Sequence, residues 1–137
     1  MSSFSVKRVE NKVILKVNQD PGCAGDLVPF IQEYEKLLKT LNHKKERVVL
    51  LMDLRALKLS ASNPKFDIID LLNRLFTGLK PISEKTLLGT ALIMSSRFVS
   101  DAIETAIAAN PGSVPFRCVT SVNQGKEFLK MCLTSRG

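Results

Sequence analysis

Apolar and polar residues alternate in two short stretches near the start of the chain, and in a third stretch the alternation is gone. Phe4 and Val6 within Ser3–Val9, and Val13, Leu15 and Val17 within Lys12–Val17, recur at every second position. That is the period of a strand with one covered and one wet face. Glu10-Asn11 between them is a two-residue turn, so the pair predicts an antiparallel hairpin. Val48–Met52 is five apolar residues in a row, headed by β-branched residues and closed by Asp53. The run is too short for a buried helix, and its lack of alternation predicts a strand covered on both faces, as in a parallel sheet between helices. Leu87–Met94 reads as a second strand of this kind and Pro115–Thr120 as the last strand.

Helical periods fill the intervals. Leu27, Phe30, Ile31, Tyr34, Leu37, Leu38 and Leu41 share one face of an amphipathic helix that Asp26 can cap, with Pro29 tolerated in its first turn. Gln19–Gly25 before it is a loop, and Asn42–Glu46 after it is a link. Beyond Asp53 come Leu54-Arg55-Ala56-Leu57 and then a polar run with Lys58, Ser60, Ser62 and Asn63 that meets Pro64, the signature of an N-cap followed by Pro at the first helical position. The helix Pro64–Leu79 carries Phe66, Ile68, Ile69, Leu71, Leu72, Leu75, Phe76 and Leu79 over more than half its circumference, a width that suits burial against two neighbours or a wall for a partner or lipid. Pro81 is expected to end it, leaving Ile82–Lys85 as a connection. Ser95 or Ser96 caps a helix with Phe98, Val99, Ala102, Ile103, Ala106 and Ile107 on one face, closed by Asn110-Pro-Gly-Ser. Ser121-x-x-Gln124 is a capping-box pattern for a final helix with Phe128, Leu129, Cys132 and Leu133 inward, and Thr134–Gly137 is a frayed tail.

The order β-β-α-β-α-β-α-β-α predicts one α/β domain over residues 1–137, its core at 4–133. It has a mixed sheet with an N-terminal antiparallel hairpin, parallel central strands joined by right-handed crossovers, and about four helices.

Composition changes this picture little. With 137 residues, 45% hydrophobic and 24% charged, the chain suits one domain with a sizeable core. No apolar run approaches the ~18 residues of a membrane span. The N-terminal residues lack the apolar core of a secretory signal, and three cysteines (Cys23, Cys118, Cys132) with no CxxC pair fit a reduced, cytoplasmic setting. The net charge of +7 comes from scattered lysines and arginines, densest at Lys44-Lys45 with Arg47, without the basic-aromatic interleaving that stacks bases. A solvated basic surface is therefore favoured over a specific nucleic-acid site.

Candidate chemistry is sparse. His43 is the sole histidine and has no second ligand at fixed spacing, so no metal site and no catalytic triad is expected. Asp53, at a strand's carboxyl end, could be a base or ligand in principle, but without an identifiable partner it is better placed to hold its loop or pair with Arg55. The glycines of Gln19–Gly25 lack the spacing of a phosphate cradle, so no cofactor is expected.

The stretch Leu51-Met52-Asp53-Leu54-Arg55-Ala56-Leu57 resembles the strand-and-loop motif Leu-Val-Asp-Leu-Arg-Gly-Leu of the STAS fold (sulfate transporter and anti-sigma-factor antagonist), and most closely its SpoIIAA-like branch. The later elements Leu88–Met94, Arg97–Ala109 and Pro115–Val119 match in order, and Phe128-Leu129 stands where that branch has Trp-Leu. The resemblance implies a single STAS-like domain. In the antagonists proper a serine within Asp-Ser-Ser-Gly is phosphorylated by a partner kinase, and Ser62 falls on that serine. Here Ala61 replaces the Asp, Asn63 the second Ser and Pro64 the Gly, so an N-cap role for Ser62 or Asn63 competes with phosphorylation.

In open α/β sheets ligands gather outside the carboxyl ends of the parallel strands. That places a candidate interaction or ligand edge at Asp53, Arg55, Ser60, Ser62, Asn63, Ser95, Ser96, Arg97, Thr120 and Ser121. The functional expectation is a non-enzymatic regulatory or protein-interaction module with a protein partner. The alternative is a carrier of a lipid or small anionic amphipathic ligand, and homodimerisation through the hairpin edge or the wide apolar helix stays open.

Overall fold

The computed structural model describes residues 4–18, 28–56, 77–95, 97–109 and 114–136, and of positions 98, 99, 106, 107, 109, 135 and 136 the backbone alone. Its elements run β1 (Phe4–Val9), β2 (Lys12–Val17), α1 (Val28–Lys44), β3 (Val48–Asp53), α2 (Lys80–Thr86), β4 (Leu87–Ile93), α3 (Arg97–Ala109), β5 (Phe116–Val119) and α4 (Val122–Arg136). The strands form one sheet in the order β1-β2-β3-β4-β5, antiparallel at β1-β2 and parallel from β2 onward. This is the α/β mixed sheet with a hairpin start that the sequence pattern predicts.

All six residues of β3 are buried, and its alternate side chains enter two separate cores. Val48, Leu50 and Met52 join Phe30, Tyr34, Leu38 and Leu41 of α1, Ile103 of α3, and Val13, Leu15 and Val17 of β2. Val49 and Leu51 point the other way, to Ala91, Ile93 and Val119, under Leu129 and Cys132 of α4. A strand with a core on each side has no position for a polar residue until its end, which explains the unbroken apolar run.

α4 comes close to the sheet. A Cβ on Gly89 of β4 would land on the Cys132 Sγ and 2.9 Å from the Cys132 Cβ, and one on Gly125 would lie 2.8 Å from Leu51 Cδ1. Glycine at 89 thus sets the depth at which the helix seats. The register skips Leu88 between Val48↔Leu87 and Val49↔Gly89, a bulge that turns both Leu88 and Gly89 toward α4. At the hairpin end cover is thinner: β1 is exposed from Ser5 to Val9, and Phe4 alone reaches inward, edge-on to Phe30 at 6.1 Å.

Three boundaries differ from the sequence expectation. Residues Asn42–Lys44 continue α1 instead of linking, and the helix ends in a Schellman motif: Lys45 takes a φ of 57°, with Glu46 N–H donating to Leu41 O (2.9 Å) and Lys45 N–H to Asn42 O (3.2 Å). Left-handed C′ positions normally carry Gly, so a lysine there gives no sequence signal. His43 and Lys44 in the last turn suit the negative end of the helix dipole, which places His43 on the helix and not in a loop. Pro81 lies in the first turn of α2, where its missing N–H costs nothing, so Ile82–Lys85 is helical rather than a connection. The tail is also helical through Arg136, with Thr134 Oγ1 donating to Lys130 O at 2.9 Å. The helix expected over Pro64–Leu79 lies outside the described residues up to position 76; Thr77 and Gly78 are helical.

Replacing Leu50, fully buried in the larger core, by Ala is expected to cost about 2–5 kcal/mol in a denaturant titration. Gly89→Ala should cost about 1–3 kcal/mol through overpacking, and Cys132→Ala in the same chain should recover part of that loss, read as a double-mutant coupling.

Candidate functional site

Parallel pairing brings the carboxyl ends of four strands to one rim. Lys16 pairs with Asp53, Asp53 with Ile93, and Ile93 with Val119. Two backbone bonds carry the ladder past the strands, from Leu54 N–H to Ile93 O (2.9 Å) and from Met94 N–H to Val119 O (3.0 Å). The chain leaving β3 is thereby tied to the chain leaving β4, and that to β5.

Asp53 ends the buried run with its side chain only 7% exposed. Its Oδ1 accepts the Arg55 backbone N–H (3.1 Å) and Nε (3.0 Å), and its Oδ2 accepts Nη2 (2.7 Å). Burial is the largest single influence on this carboxyl and would raise its pKa. The hydrogen bonds from Arg55, with the charges of Arg55 and Lys16, together outweigh burial and hold it below the ordinary aspartate value. The same fork raises Arg55. A carboxylate engaged at both oxygens and held ionised is a poor general base, and here it fixes the turn at Arg55-Ala56. The Asp53–Arg55 pairing read from the sequence is what the geometry contains.

The other candidates divide. Ser60, Ser62, Asn63 and Ser96 lie outside the described residues. Ser95 and Arg97 are exposed where β4 passes into α3. Thr120 donates its N–H and its hydroxyl to Gln124 Oε1, both at 3.3 Å, while Ser121 Oγ accepts the Gln124 N–H at 3.2 Å. The helix start is therefore a capping box with its return arm shifted: Gln124 reaches the residue before the N-cap instead of the N-cap itself.

Arg97 and Thr120 open onto a groove of about 450 Å³ beside the edge strand β5. Its floor is Arg117–Thr120, one wall is Arg97, Ser100, Asp101 and Glu104 of α3, and the other is Gln124, Glu127, Phe128 and Met131 of α4. The Arg117 guanidinium lies 5.5 Å from the centre of the Phe128 ring, within cation–π range. Met131 is 69% exposed and gives the α4 wall an apolar lip. The thiol at the floor is inert: burial pushes Cys118 up to about 12, with Glu104 and Asp101 raising it further and a Ser100 hydrogen bond opposing. Among the described residues no group of three or more His, Cys, Asp or Glu is placed to hold a metal ion.

Sequence reasoning missed most of these groove residues. Arg97, Asp101 and Glu104 fall at i, i+4, i+7, and Gln124, Glu127, Phe128 and Met131 at i, i+3, i+4, i+7, so each stripe was visible on its own helix. What periodicity does not carry is that the two stripes face each other across β5. Asp53→Asn should lower stability by about 1–2 kcal/mol at neutral pH, a modest loss because Arg55 can rehydrate. A carboxyl with a lowered native pKa contributes fully above its unfolded value, so the gap from the parent should persist down to about pH 4 and close as the pH falls through the native value. Denaturant midpoints measured across that range check both the size and the sign.

No family model and no curated protein sequence matches the chain. Among solved structures it is similar to the crystal structure of an uncharacterized protein from the DUF3478 family with a SpoIIAA-like fold, from Shewanella loihica PV-4, at a TM-score of 0.50 and 17% identity, covering 92% of this chain and 91% of that one. No helix among the described residues is long and apolar enough to cross a membrane. The fold of this chain, from the antiparallel hairpin through the parallel strands to α4, is SpoIIAA-like.

Proposed function

We propose that the chain is a non-enzymatic, regulatory protein-interaction module of STAS type, working at the carboxyl-end rim and the groove that continues it along β5. The observation that carries this reading is the groove itself. It brings two arginines, three carboxylates, two hydroxyls and an exposed methionine into one cleft whose buried thiol, Cys118, is pushed away from its reactive form. Mixed charge with a narrow apolar lip is the composition of a transient protein interface rather than of a reaction centre. The described strand ends beside it are braced, since Asp53 holds Arg55 and backbone bonds tie the strand ends together, and that lowers the ordering cost of docking there.

The reading includes a protein partner and a reducing, cytoplasmic setting, in which Cys118 and Cys132, neither in a disulfide, stay buried and protonated. The carrier alternative takes Phe66–Leu79 as one wall of a cavity and the basic residues for a headgroup; residues up to 76 of that wall lie outside the described structure.

A photo-crosslinking residue at Thr120 should give one dominant protein adduct in cells, and the same residue at Lys36, on the outer face of α1, should not. Arg97→Glu should reduce the Thr120 adduct several-fold. Equal labelling from both positions, or bound lipid in an organic extract of the purified protein with no adduct, would replace this reading.

A further inference from the structure

The face of the sheet that α4 covers is only partly covered. Lys12, Ile14 and Lys16 of β2 pair with Val49, Leu51 and Asp53 of β3, and Val49 and Leu51 lie under α4, so all three β2 residues project to the α4 side. Across the hairpin, Val9, Lys7 and Ser5 pair with them in turn and share that face. α4 packs chiefly across β3, β4 and β5. Among the described residues none closes the face over β1 and β2: Ser5, Lys7, Val9 and Lys16 are exposed, and Lys12 and Ile14 are half-buried.

One flank of α4 borders this open face. Glu127, Phe128 and Met131 line the groove on the β5 side. Helical geometry then puts Lys126, Lys130 and Leu133 on the opposite flank, toward β2, and Leu133 and Ile14 both pack at the margin of the α4 core. The result is a ledge with three lysines on the floor (Lys7, Lys12, Lys16) and two on the wall (Lys126, Lys130), with Ile14 and Leu133 at the inner corner. None of the five is in an ion pair within salt-bridge distance among the described residues. Among the described residues the bordering carboxylates are Asp53, committed to Arg55, Glu10 in the hairpin turn, and Glu127, which lies on the groove side of α4.

The dimensions select the occupant. Two strands span about 10 Å, the diameter of one α-helix, and a helix layer stands about 10 Å above its sheet. A flat bilayer resting on α4 would not reach the floor lysines, and duplex nucleic acid, about 20 Å across with its 12 Å major groove, is too wide for the step. A single helix fits beside α4 and completes the layer, burying an apolar stripe on Ile14, Val9 and Leu133 while the lysines meet carboxylates along its sides. We propose that this ledge docks an acidic amphipathic helix of a partner protein, on a face separate from the β5 groove.

A labelled synthetic helix of about 18 residues, with leucines at i, i+3/i+4 and glutamates elsewhere, probes the ledge by fluorescence anisotropy. Lys7→Glu with Lys16→Glu, and separately Lys130→Glu, should weaken binding about tenfold or more at low salt, while Lys36→Glu on α1 changes it less than about twofold. These are surface positions, and thermal melts of each variant verify folding. Amide NMR shifts induced in the unaltered protein should cluster on β1, β2 and the Lys126–Leu133 flank. Unchanged binding in the lysine variants, equal binding of a peptide with Lys for Glu, or shifts confined to another face would overturn the proposal. So would tighter, lysine-dependent binding of a single-stranded oligonucleotide or of anionic vesicles, or self-association of the protein lost on Lys7→Glu/Lys16→Glu. Failure here leaves the Thr120 crosslink untouched, so the two readings fail independently.

Discussion

Burial of β3 on both sides is the constraint from which the rest of the structure follows. A strand whose every residue is inside needs a helix layer above and below and a paired strand at each edge, and the fold supplies all four: α1 and α3 on one face, α4 on the other, β2 and β4 alongside. Each fully buried aliphatic side chain contributes about 1.5–3 kcal/mol of transfer free energy, so the apolar residues of β3 are a substantial share of the cohesion of the domain. The polar chemistry is pushed to where the run ends. Asp53 is the first residue of that run able to carry a charge, and the fork of Arg55 that wraps it, with the charge of Lys16, favours the ionised form against burial.

The same constraint accounts for the asymmetry of the two faces. Among the described residues α1, α2 and α3 contribute to the larger core, whereas one helix, α4, serves the other face and is centred over β3, β4 and β5. The hairpin consequently alternates where β3 does not: Val13, Leu15 and Val17 go inward to α1, and Lys12, Ile14 and Lys16 go outward beside α4. The alternation of β2 and the open lysine-bearing ledge are one fact seen from the sequence and from the surface. The β5 groove is the counterpart on the far side of α4, where the sheet ends between two helices.

Much of this was legible in the chain because the signals were strong and local. Val48–Asp53, the hairpin with its Glu10-Asn11 turn, and the register of apolar positions on α1 follow directly from period and run length. The parts that were not legible have specific reasons. Lys45 occupies a left-handed helix end without being Gly, so α1 runs past its expected stop. Pro81 reads equally as the end of one helix or the first turn of the next, and the structure uses the second. At the candidate site, the Asp53–Arg55 pair lies two residues apart and could be read locally, whereas the groove depends on Arg97 and Glu127 lining opposite walls across β5, a tertiary fact with no period in the sequence.

Native-state hydrogen exchange tests the primacy of β3 most directly. The amides of Val49–Asp53 should be among the slowest in the protein, exchanging only through global unfolding, with those of β1 faster by orders of magnitude. If Val49–Asp53 exchanged through local opening at rates comparable to β1, the two-sided enclosure on which the architecture and its rim depend would be contradicted.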